Sequence, residues 1–207
     1  MLGEGEGATN NAHYVKAFRD AMKAVNPDSY MLGEHFFEAT QWLQGDQEDG
    51  AMNYYGFAHP IRALLAGKDI QFDPINIDCR EFLQWLQEAS AKVPWSNQLA
   101  QLNQLDSHDT ERFITTLQGN KAKFAIANLM LMSYVGSPCL YYGAEIALQG
   151  SHDPDNRRCF PWDQLKSNEW LPFFKQIIAI RKASSALQKG VSCHCMLPSL
   201  VWYLLVS

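Results

Sequence analysis

Two carboxylates flanked by histidines stand out along the chain: Glu34 beside His35, and Asp109 beside His108. Two carboxyl groups brought to one rim from different strands are the minimum equipment for cleaving a glycosidic bond. One protonates the leaving oxygen and the other meets the positive charge that develops at the sugar carbon. A strand-end Glu or Asp without further context is more often a cap or an ion-pair partner, so spacing alone does not establish that chemistry. A second cluster, Cys193, His194 and Cys195, suggests a metal. Adjacent residues of an extended segment point to alternating faces, and no further cluster completes a tetrahedral site, so no metal and no cofactor are expected.

The elements that must position these groups alternate in type. An amphipathic surface helix fits 11–25, with Tyr14, Val15, Phe18, Ala21, Met22 and Val25 at three- and four-residue spacing and Thr9 or Asn10 as its cap. A strand at 30–32 then delivers Glu34 and His35. Residues 51–55 read as a second strand, followed by helical stretches at 59–66 and 78–89. A third strand at 101–105 leads to Asp106–Asp109, and an almost wholly apolar helix at 121–134 is expected to be buried on most sides. A fourth strand at 139–142 precedes a helix at 170–184. Alternating strands and long helices argue for an α/β fold, a parallel sheet wrapped by helices, whose chemistry gathers at the C-terminal ends of the strands. The tail, 191–196 and 200–206, is β-rich and reads as a hairpin opening an all-β domain.

Composition narrows the function. The 207 residues carry 17 Lys plus Arg against 22 Asp plus Glu, a formal charge of −5, with no basic run to hold nucleic acid or an anionic membrane. No stretch approaches the roughly 20 apolar residues of a membrane span. The five scattered cysteines read as reduced thiols of a cytoplasm-like compartment. The acidic stretch 46–49 reads as a solvated loop.

Three motifs then lift the carboxylates out of the ordinary. YMLGEHF (30–36), LDSHDTERF (105–113) and GSPCLYYGAE (136–145) resemble, in order, the strand-five, strand-seven and strand-eight motifs of the α-amylase family of glycoside hydrolases. QWLQGD, AMNYYGF and DPDNRRCFPWD extend the resemblance, most closely to its maltodextrin glucosidase, neopullulanase and cyclomaltodextrinase group. The resemblance implies the C-terminal half, strands five to eight, of a (β/α)8 barrel over 1–188, then the first strands of a C-terminal β-domain over 189–207. It implies Glu34 as general acid/base, Asp109 as the carboxylate that stabilises the oxocarbenium-like state, and His108 as a sugar hydrogen-bonding partner. His35 beside Glu34 is counted with the sugar-binding residues, and Asp153 and Arg157 match a pair contacting the glucose chain farther out. Trp42, beside the Glu34 loop, is the one aromatic expected to stack on a sugar ring. Tyr54, Tyr55, Tyr141 and Trp162 are expected in the core.

One position departs from the family pattern: Ala144 stands where YYGDE has its Asp, which puts the local loop geometry in doubt. The resemblance also implies a maltodextrin as partner and a nucleophile in the strand-four motif, just upstream of the opening MLGEG. No residue here matches that nucleophile, so the N-terminal half of the barrel is expected to be missing and the chain alone inactive. The rival reading is a non-catalytic relative serving as a sugar-binding or protein-interaction module. Such relatives tend to lose the catalytic carboxylates, and both are retained here.

Overall fold

The computed structural model describes residues 11–69, 73–197 and 200–206, with the backbone path alone for 191–206. Helix α1 (Asn11–Val25) leads to strand β1 (Leu32–His35), and strand β2 (Gly50–Asn53) follows a loop that holds one helical turn at Thr40–Trp42. Helices α2 (His59–Ala66), α3 (Cys79–Ala91) and α4 (Trp95–Ala100) precede strand β3 (Leu102–Asn103). Helices α5 (Phe113–Thr116) and α6 (Lys121–Ser133) carry the chain to strand β4 (Ser137–Pro138). Helices α7 (Trp170–Ala183) and α8 (Ser185–Lys189) then lead to strands β5 (Val191–Leu197) and β6 (Leu200–Val206).

Strands β1 to β4 form one parallel sheet in sequence order, while β5 and β6 pair antiparallel as a separate hairpin. Glu34 lies opposite Met52 and His35 opposite Asn53, so both residues belong to the sheet itself, two or three positions later than the expected strand. The strand expected at 139–142 is displaced the other way. Pairing stops at Pro138, and the chain turns through Tyr141, whose carbonyl accepts the Ala144 N–H at 3.0 Å, and through Gly143 at φ +86°. Polar side chains tie the short strands together: Asn53 donates to Asn103 Oδ1 at 2.8 Å, and Asn103 donates to the Val135 carbonyl at 2.7 Å.

The helices begin and end on local chemistry. Asp78 caps α3 by accepting the Arg80 and Glu81 N–H groups at 2.8 and 2.9 Å, and Glu81 returns the bond to the Asp78 N–H at 2.8 Å, a reciprocal capping box. Asn120 caps α6 through the Lys123 N–H at 3.1 Å, and α2 stops at Gly67, whose φ of +66° a side chain would resist. The expected Thr9 or Asn10 cap of α1 lies outside the described residues.

The main core gathers among the helices, where Ile61, Phe82, Leu86, Phe113, Phe124, Leu131 and Phe174 of α2, α3, α5, α6 and α7 pack with Phe57 from the turn after β2. Arg62 is fully buried within it. Its guanidinium donates to the Leu105 carbonyl at 3.2 Å, to Thr116 Oγ1 at 3.1 Å and to the Glu111 carbonyl at 2.9 Å, pinning the segment that follows β3.

Two expectations are corrected, and the surface helix expected at 11–25 is found as α1. Helix α6 is buried on one side only: Phe124, Ala127 and Leu131 face the core, while Ile126 and Leu129 are half exposed, because a single outer layer of helices leaves each one an uncovered back. Along α1 only Val15 is buried; Tyr14, Phe18 and Val25 stay exposed, so its apolar stripe has little to pack against among the described residues. The 46–49 stretch is not simply a solvated loop. Asp46 stays on the surface, paired with Lys16 at 2.5 Å, but Gln47 and Glu48 are buried. Asp49 holds Arg19 at 2.6 Å, Lys23 at 3.1 Å and the Met31 N–H at 2.8 Å. Each carboxylate found a cation or a donor, which periodicity does not report.

Candidate active site

Strand β1 ends in Glu34 and His35, and the loop after β3 delivers His108 and Asp109 to the same rim. His108 Nε2 lies 3.9 Å from Glu34 Oε1 and 3.3 Å from Asp109 Oδ2. One ligating atom from each of the three residues falls within 4.8 Å of the others. The outer loop joins them: Arg157 Nη2 sits 3.3 Å from Asp109 Oδ1, and its Nε sits 2.6 Å from Asp153 Oδ1. Five of the seven anticipated site residues thus form one chain of contacts, Glu34–His108–Asp109–Arg157–Asp153. Glu34 Oε1 is shielded from solvent and accepts no hydrogen bond, an arrangement that leaves a carboxyl oxygen ready for a new partner.

The other two anticipated residues lie beside this cluster. His35, the next residue along β1, hydrogen-bonds through Nε2 to Glu48 Oε2 at 2.8 Å and stacks on Trp42 with ring centroids 4.1 Å apart. Trp42 is only 6% exposed and one face of its ring is taken by His35, so the structure places it as packing rather than as an open platform for a sugar. The Glu48 carboxylate fits because Gly33 has no side chain: a Cβ there would come within 1.9 Å of Glu48 Oε2.

Several polar residues that hold the site were not singled out from the sequence. Tyr54 is buried and its hydroxyl meets Ser107 Oγ at 2.8 Å; Ser107 Oγ in turn accepts the Asp109 N–H at 3.2 Å. Burial pushes the Tyr54 hydroxyl up to about 12 against that hydrogen bond, and the nearby charges of Glu34 and Asp109 add to the rise. It therefore stays a neutral hydroxyl at working pH.

Asn156 is wholly buried and donates to the His108 carbonyl at 2.7 Å and the Thr110 carbonyl at 2.9 Å, which ties the outer loop to the Asp109 loop. Arg112, also wholly buried, donates through Nε to the Asn156 carbonyl at 2.7 Å and through Nη1 to the Tyr142 carbonyl. Its guanidinium lies 4.0 Å from the ring centre of Tyr141 and 4.6 Å from that of Tyr142. That contact explains the tyrosine pair, which stacks on a cation at the surface of the core. Ala144 is buried in the turn that follows, and Arg112 Nη2 has no partner among the described residues. The signal for both residues was present, since Arg112 and Asn156 sit inside LDSHDTERF and DPDNRRCFPWD, but a polar run reads as solvated when its partners lie on another loop.

Cys79, Cys139 and Cys159 are unpaired thiols, and the side chains of Cys193, His194 and Cys195 lie outside the described residues. Among the described residues no helix is long and apolar enough to cross a membrane.

With this geometry in place, the kinship is specific. Residues 6–181 match the family described as "Alpha amylase, catalytic domain". The chain is 38% identical over 178 residues to neopullulanase 2 from Thermoactinomyces vulgaris, covering 86% of this chain and 29% of that protein. It is 35% identical over 175 residues to the intracellular maltogenic amylase of Bacillus subtilis strain 168, covering 84% of this chain and 28% of that protein. The ligand-free structure of cyclic α-maltosyl-(1→6)-maltose hydrolase from Arthrobacter globiformis superposes with a TM-score of 0.83 at 27% identity, covering 99% of this chain and 45% of that one. The chain therefore spans less than a third of the length of these two curated relatives, 29% and 28%.

Proposed function

Because the chain belongs to the α-amylase family through its catalytic domain, we propose that it is the acid/base-bearing part of a retaining α-glycosidase that hydrolyses α-1,4 bonds of maltodextrins. The observation that carries this reading is the meeting of Glu34, His108 and Asp109, from two different strands, with ligating atoms within 4.8 Å. In this reading β1 to β4 are strands five to eight of a (β/α)8 barrel spanning 1–188, and the β5–β6 hairpin opens a C-terminal β-domain at 189–207. Four parallel strands in sequence order, with helices crossing between β2 and β3 and between β3 and β4, support that assignment.

Each residue then has a task. Glu34, with one oxygen free of hydrogen bonds, protonates the glycosidic oxygen and later takes a proton from the attacking water. Asp109, held by Arg157 on one oxygen, offers the other to sugar hydroxyls and to the positive charge at the anomeric carbon. His108 lies between the two carboxylates, in reach of a sugar hydroxyl. Asp153 and Arg157 extend the contacts outward along the glucose chain. His35 and Trp42 act through packing, keeping β1 and its Glu34 in place. The maltogenic amylase relative is named intracellular, and the same cytoplasmic setting suits a chain whose described cysteines are free.

The nucleophile of a retaining mechanism must come from a further carboxylate about 5–5.5 Å from the acid/base. No residue of this chain matches the family motif for it. Purified as 207 residues, the chain is expected to release no glucose from maltotriose; measurable release would overturn the assignment of roles. In an enzyme that contains this segment and the nucleophile motif, Glu34→Gln is expected to lower kcat by roughly 10²–10⁴, the usual worth of a positioned proton donor. A variant with near wild-type turnover would remove Glu34 from its role.

A further inference from the structure

The Glu34, His108 and Asp109 cluster has a second chemical capacity, one that needs neither a sugar nor a nucleophile. A zinc ion held by nitrogen and oxygen at about 2.0–2.2 Å in tetrahedral geometry sets its ligands roughly 3.4 Å apart. His108 Nε2 stands 3.3 Å from Asp109 Oδ2 and 3.9 Å from Glu34 Oε1, and one ligand atom from each of the three residues lies within 4.8 Å of the others. A contraction of at most about 1.4 Å, between side chains that are each about a third or more exposed, would bring every pair to ligand spacing.

The ligands are also chemically free. Glu34 Oε1 has no hydrogen-bond partner, and Arg157 engages Oδ1 of Asp109, leaving Oδ2 turned toward His108. Charge favours a cation: the carboxylates Glu34, Asp109 and Asp153 outnumber the guanidinium of Arg157, which pairs with Asp109 and Asp153. An imidazole in the set selects zinc, nickel or copper over magnesium and calcium, which prefer oxygen alone.

We propose that Glu34, His108 and Asp109 form a three-ligand binding site for Zn2+-class divalent ions, with its fourth position open to water. Metal and sugar compete for the same groups, because a zinc-bound Glu34 oxygen can no longer deliver a proton. The site follows from ligand geometry and stands or falls independently of the hydrolysis proposed above.

The test is a calorimetric titration of ZnCl2 into the 207-residue chain in which all five cysteines, Cys79, Cys139, Cys159, Cys193 and Cys195, are replaced (Cys139 by Ala, the others by Ser), so that thiolates cannot supply the binding. One zinc per chain is expected, weakened at least tenfold by His108→Asn and by Asp109→Asn, with a zinc-induced rise in Tm that both variants lose. Should His108→Asn fail to give the parent circular dichroism spectrum, Asp109→Asn and Glu34→Gln decide alone. Affinity within twofold of the parent in these variants, or no zinc binding by the parent, overturns the proposal. Because no step of this experiment involves a sugar, a failure here leaves the glycosidase reading intact, and a failed Glu34→Gln turnover test leaves the zinc site intact.

Discussion

Asn156 offers the sharpest test of how the site is held. Its amide sends two hydrogen bonds across to a neighbouring loop, to the carbonyls of His108 at 2.7 Å and Thr110 at 2.9 Å, from a fully buried position. Asn156→Ala removes both donors at once. Each lost bond is worth about 0.5–1.5 kcal/mol, and the buried Thr110 carbonyl, left without a partner, adds a desolvation cost of about 1–3 kcal/mol. The total comes to about 2–6 kcal/mol, a large share of the 5–15 kcal/mol by which domains are typically stable. With a urea m-value of about 2 kcal/mol/M, the middle of the usual range, the unfolding midpoint should fall by about 1–3 M, followed by far-ultraviolet circular dichroism. Asn156→Asp keeps the size but turns a carboxylate oxygen toward two carbonyl oxygens, and it should fall at least as far. If the Ala variant unfolds within about 0.2 M of the parent, on the same m-value scale, water replaces the amide at little cost and the loops are not clamped through this residue.

Two further outcomes follow from the same reasoning. Gly33→Ala should cost about 1–3 kcal/mol as an overpacking substitution, because its Cβ would meet the Glu48 carboxylate at 1.9 Å and drive it off His35. In a Glu48→Ala background the cost should shrink; an equal cost there would show that Glu48 is not what Gly33 makes room for. Asp49 gives a pH dependence. Burial opposes its ionisation, but the Met31 N–H, Arg19 and Lys23 outweigh that and hold the carboxyl below its usual range. A carboxylate with a depressed folded pKa stabilises the fold above the unfolded value of about 3.9 and loses that contribution as pH falls through the folded value. The urea midpoint should accordingly drop between about pH 5 and about pH 2, less steeply in Asp49→Asn. An identical slope in that variant would contradict the assignment.

The sequence made the helices legible where apolar spacing and caps coincide, as in α3, whose Asp78 and Glu81 write their own boundary, and in α6 and α7. It placed β2, β3 and the β5–β6 hairpin to within a few residues but misplaced β1 and β4. Strand β4 has only two residues, too few for a pattern, and the run CLYY reads as a strand although it turns away from the sheet at Gly143. The short helices α4, α5 and α8, of four to six residues, pass unnoticed for the same reason.

The meeting of Glu34, His108 and Asp109 was legible because each lies within a motif. The site was not legible where function depends on a pairing across the fold. The partnership of His35 with Glu48 joins residues 13 apart and that of Asn156 with His108 residues 48 apart, and no local pattern announces either.

The Asn156 bridge also bears on how such a site can change over time. Residues that choose the outer part of a ligand usually sit on loops that vary freely, because a loop tolerates insertion and replacement better than the scaffold beneath it. Here the loop carrying Asp153 and Arg157 shares its anchor with the backbone of His108 and, through Arg112, with the turn at Tyr142. A shift in the outer loop is therefore felt at Asp109, the carboxylate proposed to meet the reacting carbon. Reach and reactivity are inherited together, and a lineage adapting to a different chain length must either keep Asn156 and Arg112 fixed while it edits around them, or rebuild both loops at once.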